Sequence, residues 1–193
     1  MKFESLEIPE VKLIFPKKFE DDRGFFSETY NRVTYEKAGI DQTFVQDNHS
    51  LSRDAGVLRG LHFQRPPFAQ DKLVSVLRGK IYDVAVDIRA GSPSFGKWVS
   101  TIISASDWKQ IYIPKGFAHG FLTLEPDTEV TYKVSNPYAP ETEGAILWND
   151  PTLDIDWPID ESLIILSQKD ANAPPFSDYA NTPAFQSGST STT

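Results

Sequence analysis

Three histidines occur in 193 residues, and two of them lie in segments built to carry chemistry: Arg59-Gly60-Leu61-His62-Phe63-Gln64 and Pro114-Lys115-Gly116-Phe117-Ala118-His119-Gly120-Phe121. Imidazole is the side chain whose ordinary pKa lies nearest neutrality, so a general base working near neutral pH has a short list of candidates here. His62 leads it. The absence of cysteine excludes disulfides, thiolate metal sites and thiol nucleophiles, and it fits a reducing compartment, so cytoplasm is the expected location.

The elements that must position these residues read as short strands broken by turns. Gly24 to Tyr30, Thr43 to Leu51, Val57 to Gln64, Lys72 to Leu77, Lys80 to Arg89, Trp98 to Ser104, Gln110 to Ile113, His119 to Leu124, Thr128 to Val134 and Gly144 to Trp148 are predicted strands. Clusters such as Arg78-Gly79 and Gly91-Ser92-Pro93 separate them, the pattern of an all-β sandwich or barrel. Only Asn31 to Gly39 reads as a helix, with Asn31 as N-cap and Gly39 as its stop. Residues 1–185 are expected to form one domain, and Gln186 to Thr193, with nothing to bury, a disordered tail.

Residues two apart on a strand share a face, and residues one apart do not. Gln46 therefore faces with Asn48, His62 with Gly60 and Gln64, Lys72 with Val74 and Val76, Asp83 with Ile81, Ala85 and Asp87, and Tyr132 with Val130 and Val134. His49 falls opposite Gln46 and Asn48. By the same parity Arg59 faces away from His62. Each residue taken singly has an ordinary explanation: a strand histidine is commonly a hydrogen-bonded core group, a tyrosine between valines packs, and a lysine at a strand start is solvated. Several strands that mix polar and apolar groups on one face suggest instead a small barrel with a partly polar interior, which is a ligand site.

The formal net charge of -8 opposes binding to nucleic acid or to an anionic membrane, so an anionic ligand must meet a local basic cluster. No apolar run approaches the roughly 20 residues of a membrane-spanning helix, and the first residues do not read as a signal sequence.

Read in order, Asp22-Arg23-Gly24-Phe25-Phe26-Ser27-Glu28, Gln46-Asp47-Asn48-His49-Ser50, Arg59-Gly60-Leu61-His62, Gln70-Asp71-Lys72-Leu73-Val74, Asp83-Val84-Ala85-Val86-Asp87-Ile88-Arg89, Ile113-Pro114-Lys115-Gly116-Phe117-Ala118-His119-Gly120-Phe121, Tyr132-Lys133, Trp148-Asn149-Asp150-Pro151 and Ser167-Gln168-Lys169-Asp170 resemble the dTDP-4-dehydrorhamnose 3,5-epimerase family. The resemblance runs from about Phe3 to Pro174. Phe68, Asp71, Ala145 and Leu147 depart from the family pattern. The resemblance implies a cupin-type jelly roll with a few short helices, and a nucleoside-diphosphate 4-keto-6-deoxyhexose as substrate. It implies His62 as general base paired with Asp170, Lys72 facing the developing oxyanion, and Tyr132 returning the proton from the opposite face. Gln46, Asp47, Asn48, Arg59, His119, Glu143 and Lys169 match substrate-contacting positions, the basic ones offsetting diphosphate charge, and Tyr138 matches the residue that stacks on thymine. Arg23, Phe26 and Glu28 match a strand that enters a neighbouring subunit's site, which implies a homodimer.

A metal-dependent cupin needs a His-x-His pair, a carboxylate and a third histidine, whereas this chain reads His62-Phe63-Gln64. No Gly-x-Gly-x-x-Gly segment follows a strand, so no cofactor is expected. A silent sugar-nucleotide-binding module, or an epimerase acting at a single carbon, are the other readings.

Overall fold

The period-two alternation is realised in two antiparallel sheets packed face to face; the structure, a computed structural model, describes residues 1–188. In chain order the elements are β1 (Lys2–Ser5), β2 (Lys12–Phe15), β3 (Lys18–Asp21), β4 (Gly24–Ser27), α1 (Arg32–Lys37), β5 (Gln46–Ser52), β6 (Leu58–Gln64), β7 (Lys72–Arg78) and β8 (Lys80–Asp87). They continue with β9 (Arg89–Ala90), β10 (Trp98–Ser104), β11 (Gln110–Ile113), β12 (Phe117–Thr123), β13 (Thr128–Val134), β14 (Glu143–Ala145), α2 (Gln168–Ala171), α3 (Phe176–Asn181) and β15 (Phe185–Gln186). One sheet has the order β1-β2-β11-β7-β13-β5 and the other β10-β8-β12-β6-β14. This is the expected all-β jelly roll with a few short helices.

Alternation along each strand sends side chains to different layers. Between the sheets, Val74 and Val76 of β7 meet Ile81 and Ala85 of β8, Ile111 of β11, Phe121 of β12 and Val130 of β13. The other face of the second sheet, through Val84, Val86, Leu61 and Phe63, is covered by the C-terminal segment with Trp148, Trp157, Phe176 and Tyr179. Behind the first sheet, Tyr35 of α1 and Ile40 close on Ile14, Leu73 and Tyr112. The helix starts where expected: the Asn31 side chain accepts from the Thr34 N–H, and Gly39 takes a positive φ of 77° just beyond Ala38.

The strand expected over Gly144 to Trp148 spans only Glu143–Ala145 and that expected over Thr43 to Leu51 begins at Gln46, and two larger features also depart from the sequence reading. The strand expected over Gly24 to Tyr30 ends at Ser27 and forms a hairpin with β3 alone. The tail expected from Gln186 begins later, because Gln186 pairs in parallel with Ala90 and the Ser187 N–H donates to the Ala90 carbonyl. Residues 189–193 of that expected tail lie outside the described residues.

Candidate active site

At one end of the sandwich the two sheets leave a cavity of about 230 Å³ whose lining includes His62, Lys72, Tyr132, Gln46, Asn48, Tyr138 and Glu143. His62 projects from β6 in one sheet, and Lys72 and Tyr132 from β7 and β13 in the other. A ligand held between the sheets thus meets an imidazole on one side and a phenol and an ammonium on the other.

His62 Nε2 lies 2.5 Å from Asp170 Oδ1. The carboxylate arrives on α2, whose N-cap Ser167 donates its hydroxyl to Asp170 Oδ2 at 2.8 Å and accepts from the Asp170 N–H. Burial pushes the Asp170 carboxyl up, but the hydrogen bonds from His62 and Ser167 and the charge of Lys169 outweigh it and hold the group below its ordinary value. An ionised Asp170 fixes the His62 ring orientation and favours the imidazolium that forms when the ring takes a proton.

Lys72 is buried, with Nζ 3.3 Å from the His62 carbonyl oxygen. Desolvation lowers its pKa to about 8, against the opposing pull of Asp83 and Glu143. Tyr132 is shifted the other way: burial raises the phenol, and the nearby Arg59 charge partly offsets it. A phenol that keeps its proton can donate it.

Arg59 is where parity fails. In the β6–β12 pairing His119 faces His62 and Phe121 faces Arg59, so three steps on β6 are matched by two on β12. This β-bulge returns Arg59 to the face of His62, and its guanidinium crosses to the Leu51 carbonyl and Ser52 hydroxyl at the end of β5, each 3.3 Å away. The bulge is built on Gly60, with a φ of 139°; a Cβ there would sit 2.5 Å from the Gly120 Cα. A glycine inside a strand pattern is the sequence signal that marks such a bulge.

His119, expected to contact substrate, is not among the residues lining the cavity. It is buried, and its Nε2 lies 2.9 Å from Asp83 Oδ2. Burial lowers its pKa, with Lys72 and His62 adding to the effect and Asp83 opposing it, so at neutral pH the ring is uncharged.

The cavity rim is a linked group. Glu143 Oε2 accepts from Lys169 Nζ at 2.5 Å and from the Tyr138 hydroxyl at 3.0 Å. Burial pushes Glu143 up, but these partners pull it below its ordinary value. Tyr138 itself is half exposed, its ring open to a stacking partner. Its loop is held by Gln64, which donates to the Phe68 and Pro137 carbonyls and accepts from the Ala139 N–H, and by Gln46, which accepts from the Tyr138 N–H. Gln64 and Gln70, both lining residues, were not singled out as candidates by the sequence reading; Gln64's place beside His62 by parity was the available signal.

Four expected site residues lie elsewhere in this chain. Asp47 points to the outer face of its sheet and pairs with Lys133 at 2.8 Å, as β5 parity requires. Arg23, Phe26 and Glu28 are on or beside the β3–β4 hairpin, outside the cavity lining; Arg23 bonds Asp21 and Phe26 is 70% exposed. Asp71, one of the departures noted above, is a buried anchor, accepting from the Tyr112 and Ser135 hydroxyls at 2.7 and 2.9 Å. Among the described residues no group of three or more His, Asp or Glu side chains is arranged to hold a metal ion. His49 pairs with Glu129 on the outer face.

Residues 5–178 match the family model described as dTDP-4-dehydrorhamnose 3,5-epimerase. The dTDP-4-dehydrorhamnose 3,5-epimerase of Salmonella typhimurium is 54% identical over 168 residues, covering 86% of this chain and 91% of that protein. The crystal structure of the Legionella pneumophila dTDP-6-deoxy-D-glucose-3,5-epimerase in complex with dTDP-4-keto-L-rhamnose superposes with a TM-score of 0.87 at 49% identity, covering 91% of this chain and 93% of that one. A 3'-monoepimerase from Streptomyces bikiniensis, solved in complex with dTDP-quinovose, gives a TM-score of 0.87 at 33% identity, covering 94% and 91%.

Proposed function

The chain belongs to the dTDP-4-dehydrorhamnose 3,5-epimerase family, and we propose that the cavity between its sheets performs the family's reaction with His62, Asp170, Lys72 and Tyr132 as the working groups. It is an isomerase that converts dTDP-4-dehydro-6-deoxy-glucose to dTDP-4-dehydro-L-rhamnose, a step in dTDP-rhamnose biosynthesis. The hydrogens on carbons 3 and 5 flank the ketone and are acidified by it. His62 takes one as a proton, and the C–H electron pair moves into a carbon–carbon double bond while the ketone oxygen becomes an enolate. The Lys72 ammonium stabilises that oxygen in a site where water is scarce. Tyr132 then donates its proton to the opposite face of the carbon, and the carbonyl re-forms with inverted configuration. Exchange with solvent returns the imidazolium and the phenolate to their starting states.

The observation that carries this reading is the opposition of His62 to Tyr132 and Lys72 across one cavity, since inversion needs a base and an acid on two sides. Gln46, Asn48, Arg59 and Lys169 hold the sugar and diphosphate, and Tyr138 stacks on the base. The exposed β3–β4 hairpin supports a homodimer in which Arg23, Phe26 and Glu28 complete the neighbouring site, because none of the three is among the residues lining the cavity of its own chain. A cytoplasmic location belongs to the same proposal and rests on the nucleotide-sugar substrate.

Proton NMR of the keto-sugar nucleotide in deuterium oxide tests the assignment. Deuterium is expected at carbons 3 and 5. Label at one carbon alone establishes the second reading, a single-centre epimerase, which the likeness to the 3'-monoepimerase favours. No label at either carbon overturns both.

A further inference from the structure

Among the described residues, Asp83 and Asp87 are wholly buried on the inner face of β8 and have no part in the mechanism; Asp87 is paired with the Arg89 guanidinium, and Asp83 has no ion pair with a lysine or arginine. Asp83 sits in the middle of β8 beside Ile81 and Ala85. Its Oδ2 meets His119, while Oδ1 is buried and has no hydrogen-bond partner among the described residues. A buried carboxylate oxygen without a partner is costly, and such a group is retained where its charge is used. The charges within reach identify the use. Lys72 is buried on the face of β7 that carries Val74 and Val76, and this face packs against Ile81 and Ala85, which flank Asp83 on β8; without a direct ion pair among the described residues, Asp83 and the rim group Glu143 act on the ammonium through their charge. Glu143 already has the Lys169 ammonium and the Tyr138 hydroxyl. Asp83 has only a neutral imidazole.

We propose that Asp83 is a positioning residue for the epimerisation: its carboxylate is the buried counter-charge that keeps Lys72 an ammonium, and it fixes His119 in the tautomer with hydrogen on Nε2. The second effect follows from hydrogen-bond chemistry. A neutral imidazole that donates from Nε2 presents Nδ1 as an acceptor, so His119, in register with His62 on the neighbouring strand, offers a fixed acceptor and cannot act as a cation. Asp170 does not duplicate this role, because it holds the histidine whose protonation state must change.

The inference rests on Lys72 acting as the oxyanion partner, and the test separates the two. Wild-type enzyme that places no deuterium on the sugar overturns the reaction assignment itself. If it does exchange, kcat/KM against pH is compared for wild type, Asp83→Asn and Lys72→Arg. Loss of the Lys72 proton is expected to limit the alkaline side of the wild-type profile near pH 8. Removing the Asp83 charge is expected to lower that limit by about one unit and to reduce kcat, with dTDP affinity unchanged. Lys72→Arg, whose charge does not titrate in this range, is expected to abolish the alkaline limit even if turnover is slow. An Asp83→Asn enzyme with an unmoved alkaline limit, or a Lys72→Arg enzyme that retains it, overturns the proposal. Should Asp83→Asn not fold, the melting temperatures of Lys72→Met and of the double variant Asp83→Asn/Lys72→Met decide. The double variant is expected to melt higher, because the carboxylate left without its ammonium is gone; a double variant that melts lower or does not fold overturns the proposal.

Discussion

The chain contains two His–Asp pairs that face each other across adjacent strands, His62–Asp170 and His119–Asp83, with His62 and His119 in direct register. Both bonds run through Nε2. Their surroundings differ: the His62 side chain is 29% exposed and its carboxylate is held by Ser167, whereas the His119 side chain is 8% exposed and Asp83 has an unpartnered oxygen. A pair open to the cavity can take up a proton and give it back. A pair sealed in the core keeps the neutral form and offers a fixed dipole. Solvation, more than residue identity, assigns the role.

The sharpest way to break this comparison is to remove each imidazole. His62→Ala is expected to lower kcat by roughly 10³-fold or more and to abolish deuterium exchange at both carbons, as loss of a general base demands. His119→Asn is expected to cost only about tenfold and to leave exchange detectable; equal losses would mean that both pairs move protons. Tyr132→Phe is the next largest effect. Exchange should persist at a reduced rate while inversion is lost, because the proton can return only from the side it left. Normal inversion by this variant would identify a different acid.

The third expectation concerns the hairpin. His62→Ala and Arg23→Ala homodimers should each be poorly active, but subunit exchange yields mixed dimers with one doubly damaged and one intact site. With random reassortment roughly a quarter of wild-type activity should return. No recovery, with mixing verified by native mass spectrometry, would mean Arg23 acts within its own subunit.

Smaller effects follow for stability. The Asp170 carboxyl is held below its ordinary 3.8, so its contribution is fully present above that value and is lost as pH falls through the lower folded value. Asp170→Asn should therefore lower stability at neutral pH by about 1 kcal/mol and converge with wild type in acid, as urea unfolding across that range would reveal. Asp47→Ala, which removes an exposed pair with Lys133, should change stability by no more than about 0.5 kcal/mol and leave KM untouched. A raised KM would return Asp47 to the site.

Much of this was legible in the chain, and the reasons are physical. Trp98 to Ser104, Gln110 to Ile113 and Thr128 to Val134 were readable to the residue because their alternation continues up to flanking turn signals. β1, β2 and β3 were not, being four residues each, and β1 and β3 are largely exposed. Helices α2 and α3 span one to two turns and are held by their contacts, so local periodicity had little to show. In the site, parity correctly set Gln46, Asn48, His62, Lys72 and Tyr132 inward, and it failed at Arg59 because a bulge breaks the period on which parity depends. The bond from His62 to Asp170 came only from the family resemblance; no local pattern connects residues so far apart.

That distance has a consequence for how the enzyme comes into being. The histidine and its aspartate are separated by 108 residues, and the aspartate rides on a one-turn helix that docks against β6. During synthesis the strands that form the barrel are made well before α2, so a chain can have both sheets paired and still lack its proton-carrying couple. The first turnover of a new molecule marks the docking of its C-terminal segment, and the rate at which activity emerges on refolding reports that event apart from the formation of the sheets.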